Sequence, residues 1–76
     1  MSLEERLFQV RRARCLDHLI RFGQTPDLAE RWCEAWEHEA ELRGRPRSGE
    51  FWDHGQLWID AQIAARRTPG AILARR

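Results

Sequence analysis

No run of apolar residues in this chain approaches the roughly 18 that a helix needs to cross a bilayer, so a membrane span is not expected. Lysine is missing altogether, and all thirteen basic residues are arginine. Arginine binds carboxylates bidentately and tolerates partial burial better than lysine, although the codon usage of a GC-rich genome is the simpler source of the bias. Net charge is also small: +1 over 76 residues argues against a nucleic-acid polycation and against an acidic tail. The first residues alternate charged and apolar side chains, so neither a signal peptide nor a transit peptide is expected. A cytoplasmic protein with reduced thiols is the corresponding expectation. Alternation of period two is nowhere long enough for a strand, and no repeat or low-complexity tract interrupts the chain. Nor is there a glycine-rich phosphate loop, an HExxH pair or a Ser/His/Asp spacing. His54, beside Asp53 and Trp52, reads as ordinary surface, and Glu34, Glu37 and Glu41 read as a solvated face. Catalysis and cofactors are therefore not expected.

What is present is helical punctuation. Thr25 and Pro26 open a helix as N-cap and first residue, Asp27 and Glu30 suit the positive end of its dipole, and Gly44 can end it in the left-handed conformation. Between them Leu28, Ala29, Trp32, Cys33, Trp36 and Ala40 form an apolar stripe. Upstream, Ser2 with Glu5 three residues on has the capping-box pattern, and Gly23 closes that helix. Downstream, Ser48 is the expected N-cap of a third helix after the loop Arg43-Gly-Arg-Pro-Arg-Ser-Gly49. Its stripe is Phe51, Trp52, Gly55, Trp58, Ile59, Gln62 and Ile63. Gly55 weakens that helix by about 1 kcal/mol, and so marks a close approach to a Trp or a break. Thr68-Pro69 repeats the Thr-Pro start signal. The predicted fold is all-α, a three-helix bundle built on an antiparallel helical hairpin with a short C-terminal helical turn or tail. As one domain, residues 1–76 divide into helices over about 2–22, 26–43 and 49–67 and a tail over 68–76.

The short link Gly23-Gln24 sets the hairpin register. With the turn near residue 24, Phe8 faces Ala40, Cys15 faces Cys33 and Leu19 faces Ala29. Arg12 and Glu39 both project from apolar arcs, which predicts a structural ion pair between them. The first helix with its turn carries a net +2 and the second a net −5, so the two attract, although an exposed pair contributes only a few tenths of a kcal/mol.

A core of this size supplies roughly 3–5 kcal/mol, and natural small domains often add a staple or a partner. No metal is the primary expectation. The alternative set is Cys15, His18, Cys33 and Glu37; Cys33 and His38 diverge by about 140° on a helix, which removes His38. A Cys15–Cys33 disulfide fits the register but not the expected compartment. Nucleic acid is the second function class, with Arg43, Arg45 and Arg47 in the loop and Arg66, Arg67, Arg75 and Arg76 at the end. These groups fall at opposite ends of an up-down-up bundle, and the acidic second helix repels phosphate. The favoured function is a helical protein–protein interaction module, self-associating as a homo-oligomer or acting as an adaptor subunit. Leu3, Leu7 and Val10, with the ridge Leu57, Ala61 and Ala64, exceed what a three-helix core needs, and four Trp suit an interface hot spot. Folding of Ala71-Ile72-Leu73 over one of these ridges is the competing expectation.

Overall fold

The computed structural model describes residues 2–75. It is all-helical, with α1 over Leu3–Arg21, α2 over Pro26–Leu42, α3 over Phe51–Ala64 and α4 over Pro69–Leu73. The first three make a bundle and the short fourth helix packs on α2. Three starts follow from local chemistry. Ser2 Oγ accepts from Glu5 N–H at 3.1 Å, Thr25 Oγ1 from Leu28 N–H at 3.2 Å and Thr68 Oγ1 from Ala71 N–H at 3.3 Å. Each of these satisfies a donor that the first helical turn leaves free.

α3 is shorter than its pattern predicts. Ser48 does not cap it; its carbonyl accepts from Phe51 N–H at 3.1 Å, a turn that delivers Phe51 into the core, and α3 begins there without a side-chain cap. At the other end the helix stops at Ala64 because Arg66 takes the left-handed conformation, with φ +59°. Arg66 N–H then bonds Ile63 O, and Arg67 N–H bonds Gln62 O. α1 and α2 end in the same paired-bond motif, but there the left-handed residues are Gly23 and Gly44. An L-residue with a Cβ pays about 1–2 kcal/mol in that region and glycine pays nothing. Arg66→Gly is therefore expected to stabilise the protein by about 1 kcal/mol, less the glycine's extra freedom when unfolded, read as a raised urea midpoint. An unchanged or lowered midpoint would mean the Arg66 side chain contributes more than its strain.

α2 is the central element because it is buried on more than one side. Ala29, Trp32, Cys33, Trp36 and Ala40 face the bundle, while Ala35 and Glu39, also buried, lie one turn apart on the flank that α4 covers. Phe8, Trp52, Phe51, Trp36, Trp58 and Trp32 run as a chain of aromatic contacts with centroids 5.2–6.3 Å apart. The tilted and edge-on geometries suit ring quadrupoles. The tryptophans are thus core residues, three buried and Trp58 partly so, which corrects their assignment to an interface. In so short a chain the largest side chains are what fills the space between helices. Gly55 marks the close approach: it sits under the indole of Trp36.

The predicted Arg12–Glu39 pair does not form. Arg12 Nε donates to Glu37 Oε1 at 3.0 Å, and both of its terminal nitrogens reach the Glu30 carboxylate. Glu30 and Glu37 are seven residues apart and share one face of α2, whereas Glu39 stands about 200° round the helix from Glu37. There Glu39 accepts from Arg75 Nη1 at 3.1 Å, with Arg43 Nη2 at 3.8 Å. His38 Nε2–H donates to the Arg75 carbonyl at 2.7 Å. Together these contacts and buried Ile72 hold the C-terminal turn on α2. Ala71-Ile72-Leu73 therefore covers neither of the two exposed ridges.

Candidate interaction surface

α1 carries two unlike faces. Phe8, Cys15 and Leu19 are buried against α2 and α3, while Leu3, Leu7 and Val10 lie on the outer side, 71%, 40% and 47% exposed. The spacing of four and three residues aligns these three as one row over the first turns of the helix. Glu4 and Arg11 flank the row on the side toward α3. Arg11 Nη1 lies 3.2 Å from the position a Cβ on Gly49 would take, so its guanidinium rests beside the start of α3. On α3, Leu57 is 70% exposed, and Ala61 and Ala64 are also exposed. The two rows do not merge. α1 and α3 run parallel, since Phe8 meets Trp52 and His18 meets Asp60, which sets Leu57 level with Cys15 and beyond the end of the first row. A third exposed apolar group, Ile20, Phe22 and Leu28, surrounds the α1–α2 turn; Phe22 has the His18 ring 4.7 Å away.

The metal alternative comes apart in three dimensions. Cys15 and Cys33 meet, but His18 turns to Asp60 at 3.4 Å, and Glu37 is held by Arg12 and by Arg47, the latter at 3.1 Å. Among the described residues no group of three or more His, Cys, Asp or Glu is arranged to hold a metal ion. The two thiols are buried and free. Their mutual hydrogen bond lowers Cys15 and, together with burial, raises Cys33.

The arginines assigned to a nucleic-acid surface turn inward in part. Arg43 lies by Glu39, Arg45 stands over the Trp36 ring at 5.7 Å, and Arg47 stands over Phe8 at 4.5 Å while bonding Glu37. Arg45 and Arg47 share a groove with Glu37, His38 and Glu41, so carboxylates compete with any phosphate there. Arg67 bonds Gln62 at 2.9 Å, and Arg66 is exposed at the far end of α3. Arg76 lies outside the described residues. Residues 2–75 contain no helix long and apolar enough to cross a membrane.

Sequence reasoning missed the contacts that hold α4, and no local signal announces them. Pairing of Glu39 with Arg75 joins positions far apart in the chain, and only the return of the C-terminus creates it. Compared with known protein families, curated proteins and solved structures, the chain matches none.

Proposed function

We propose that this chain is a non-catalytic helical interaction module that self-associates through the N-terminal half of α1. The observation that supports the reading is the row Leu3, Leu7 and Val10, left in water because α4 packs on α2 instead. Full burial of a Leu or Val contributes roughly 1.5–3 kcal/mol, and about half of that is still to be gained at each of these positions. A second copy is the natural cover because a two-fold axis lets one patch meet itself. With the axis at Leu7 and the helices antiparallel, Leu3 approaches Val10 of the other copy. Glu4 then approaches Arg11 of the other copy, so the flanking charges attract. Leu57 and Ala61 form the surface for further partners. A cytoplasmic location fits this role.

Light scattering on the eluting protein tests it. The unmodified chain is expected at twice its 9.0 kDa mass, and Leu7→Glu at the single-chain mass with its helical circular dichroism retained. A monomer at high concentration that Leu7→Glu does not change would overturn the proposal. The second class, nucleic-acid binding through Arg43, Arg45, Arg47, Arg66 and Arg67, gives a different result: salt-sensitive retention of an oligonucleotide, indifferent to Leu7→Glu.

A further inference from the structure

Cys15 and Cys33 face one another across the seam between α1 and α2, both buried and neither in a disulfide. The register that brings them together is pinned about one turn away by the Arg12–Glu37 bond. Their surroundings differ. Cys33 is fully enclosed, whereas Cys15 lines the floor of a groove of about 330 Å³ between α1 and α3, flanked by Arg11 and Arg14. We propose that Cys15 and Cys33 are a reversible dithiol–disulfide pair that staples α1 to α2, oxidised by a low-molecular-weight disulfide entering through this groove.

The exchange balances without a further reagent. Cys15 loses its proton, and its sulfur attacks one sulfur of the small disulfide, breaking that S–S bond and releasing one small thiol. Cys33 then loses its proton and attacks the Cys15 sulfur of the mixed disulfide, releasing the second small thiol. Two protein thiols are oxidised and one small disulfide is reduced. Cys15 is the entry point because it lines the groove, whereas Cys33 is fully enclosed. Arg11 and Arg14, against the single carboxylate of Asp53, give the groove a net positive rim suited to an oxidant bearing carboxylates, such as oxidised glutathione. Reduction retraces the same path: a small thiolate entering the groove attacks the Cys15 sulfur of the disulfide and releases Cys33. Both sulfurs lie inside one chain and away from Leu3, Leu7 and Val10, so the pair does not depend on self-association.

The full-length chain, kept native, is equilibrated with oxidised and reduced glutathione, quenched in acid, unfolded and alkylated. The expected product under oxidising poise is a single chain lighter by two hydrogens, carrying no alkyl group and no glutathione. Closing a loop of about 18 residues restricts the unfolded chain, so Tm should rise by on the order of 10 °C and return on reduction. Cys33→Ser should stop at one glutathione on Cys15 and show no rise. Two alkylated thiols, a lasting glutathione adduct on the unsubstituted chain, or cross-links between chains would overturn the proposal. So would a rise in Tm that persists in Cys33→Ser. If Cys33→Ser does not fold, the mass of the unsubstituted chain decides the question.

Discussion

Gly55→Ala is expected to destabilise the protein by about 2–4 kcal/mol, against the direction that helix propensity alone would give. In a helix interior alanine is better than glycine by about 1 kcal/mol. At this site, however, a Cβ would stand 2.5 Å from both Cδ1 and Nε1 of Trp36. The indole has no room to withdraw. It is buried, packs against Phe51 and Trp58 at centroid distances of 5.4 and 5.5 Å, and donates from Nε1 to the Phe51 carbonyl at 3.1 Å. Overpacking costs about 1–3 kcal/mol, and displacing the indole also leaves a buried donor and acceptor unpaired, at about 1–3 kcal/mol. Together they exceed the gain in propensity. For a core of this size that is most of the stability available, so the urea midpoint should fall sharply. In a Trp36→Phe background the smaller ring should make Gly55→Ala less costly. Strict additivity of the two changes, or a stabilised Gly55→Ala, would show that the indole is not the obstacle.

Arg12→Ala should cost about 1–3 kcal/mol. The guanidinium joins α1 to two carboxylates of α2 and stands 5.7 Å from the centroid of the Trp52 ring. Its side chain is only 19% exposed, which makes the interaction stronger than a surface pair. Two features hold the loss below the roughly 3–5 kcal/mol of a fully buried pair: Glu30 is half exposed and rehydrates, and Glu37 keeps Arg47. A double-mutant cycle should give clear coupling between Arg12 and Glu37 and coupling near zero between Arg12 and Glu39. The reverse pattern would restore the pair expected from sequence. Acid stability supplies a second measurement. The hydrogen bond from Arg12 holds the Glu30 carboxyl below its ordinary value. A carboxyl whose folded pKa is depressed contributes stability above its unfolded pKa of about 4.3 and loses it as pH falls through the folded value. Stability of the unsubstituted chain should therefore fall below about pH 4.3 more steeply than that of Arg12→Ala. Parallel acid limbs for the two proteins would show that Arg12 does not depress Glu30.

The features legible in the chain were those with a local cause. Ser2 and Thr25 cap where their hydroxyls meet free amides three residues on, and Gly23 and Gly44 end helices because each takes a positive φ. The exception at Arg66 was illegible for the same reason: no glycine announces it, and the periodic pattern runs on past Ala64. Gly55 was readable as a close approach or as a break in the helix, and packing decided for the close approach. Which Trp pressed on it was not readable, because several tryptophans lie at helical spacing and only packing selects Trp36. The row Leu3, Leu7 and Val10 could be picked out by spacing, whereas the place where the C-terminal turn docks could not.

By itself the sequence determined the all-α class, the antiparallel hairpin with Cys15 opposite Cys33, and most of the apolar stripes of α2 and α3, Leu28 being the member of the α2 stripe left exposed. These depend on caps, on 3.6-residue periodicity and on a link too short for any other course. Only the tertiary structure decided that Arg12 turns to Glu30 and Glu37 while Glu39 awaits Arg75. It also decided that the tryptophans fill the core and that α4 covers α2, leaving the row on α1 exposed. Charge partners and packing partners depend on which faces meet in three dimensions. A rotation of about 100° per residue carries a side chain from one neighbour to another, so a shift too small to disturb the stripe reassigns every contact at its edge.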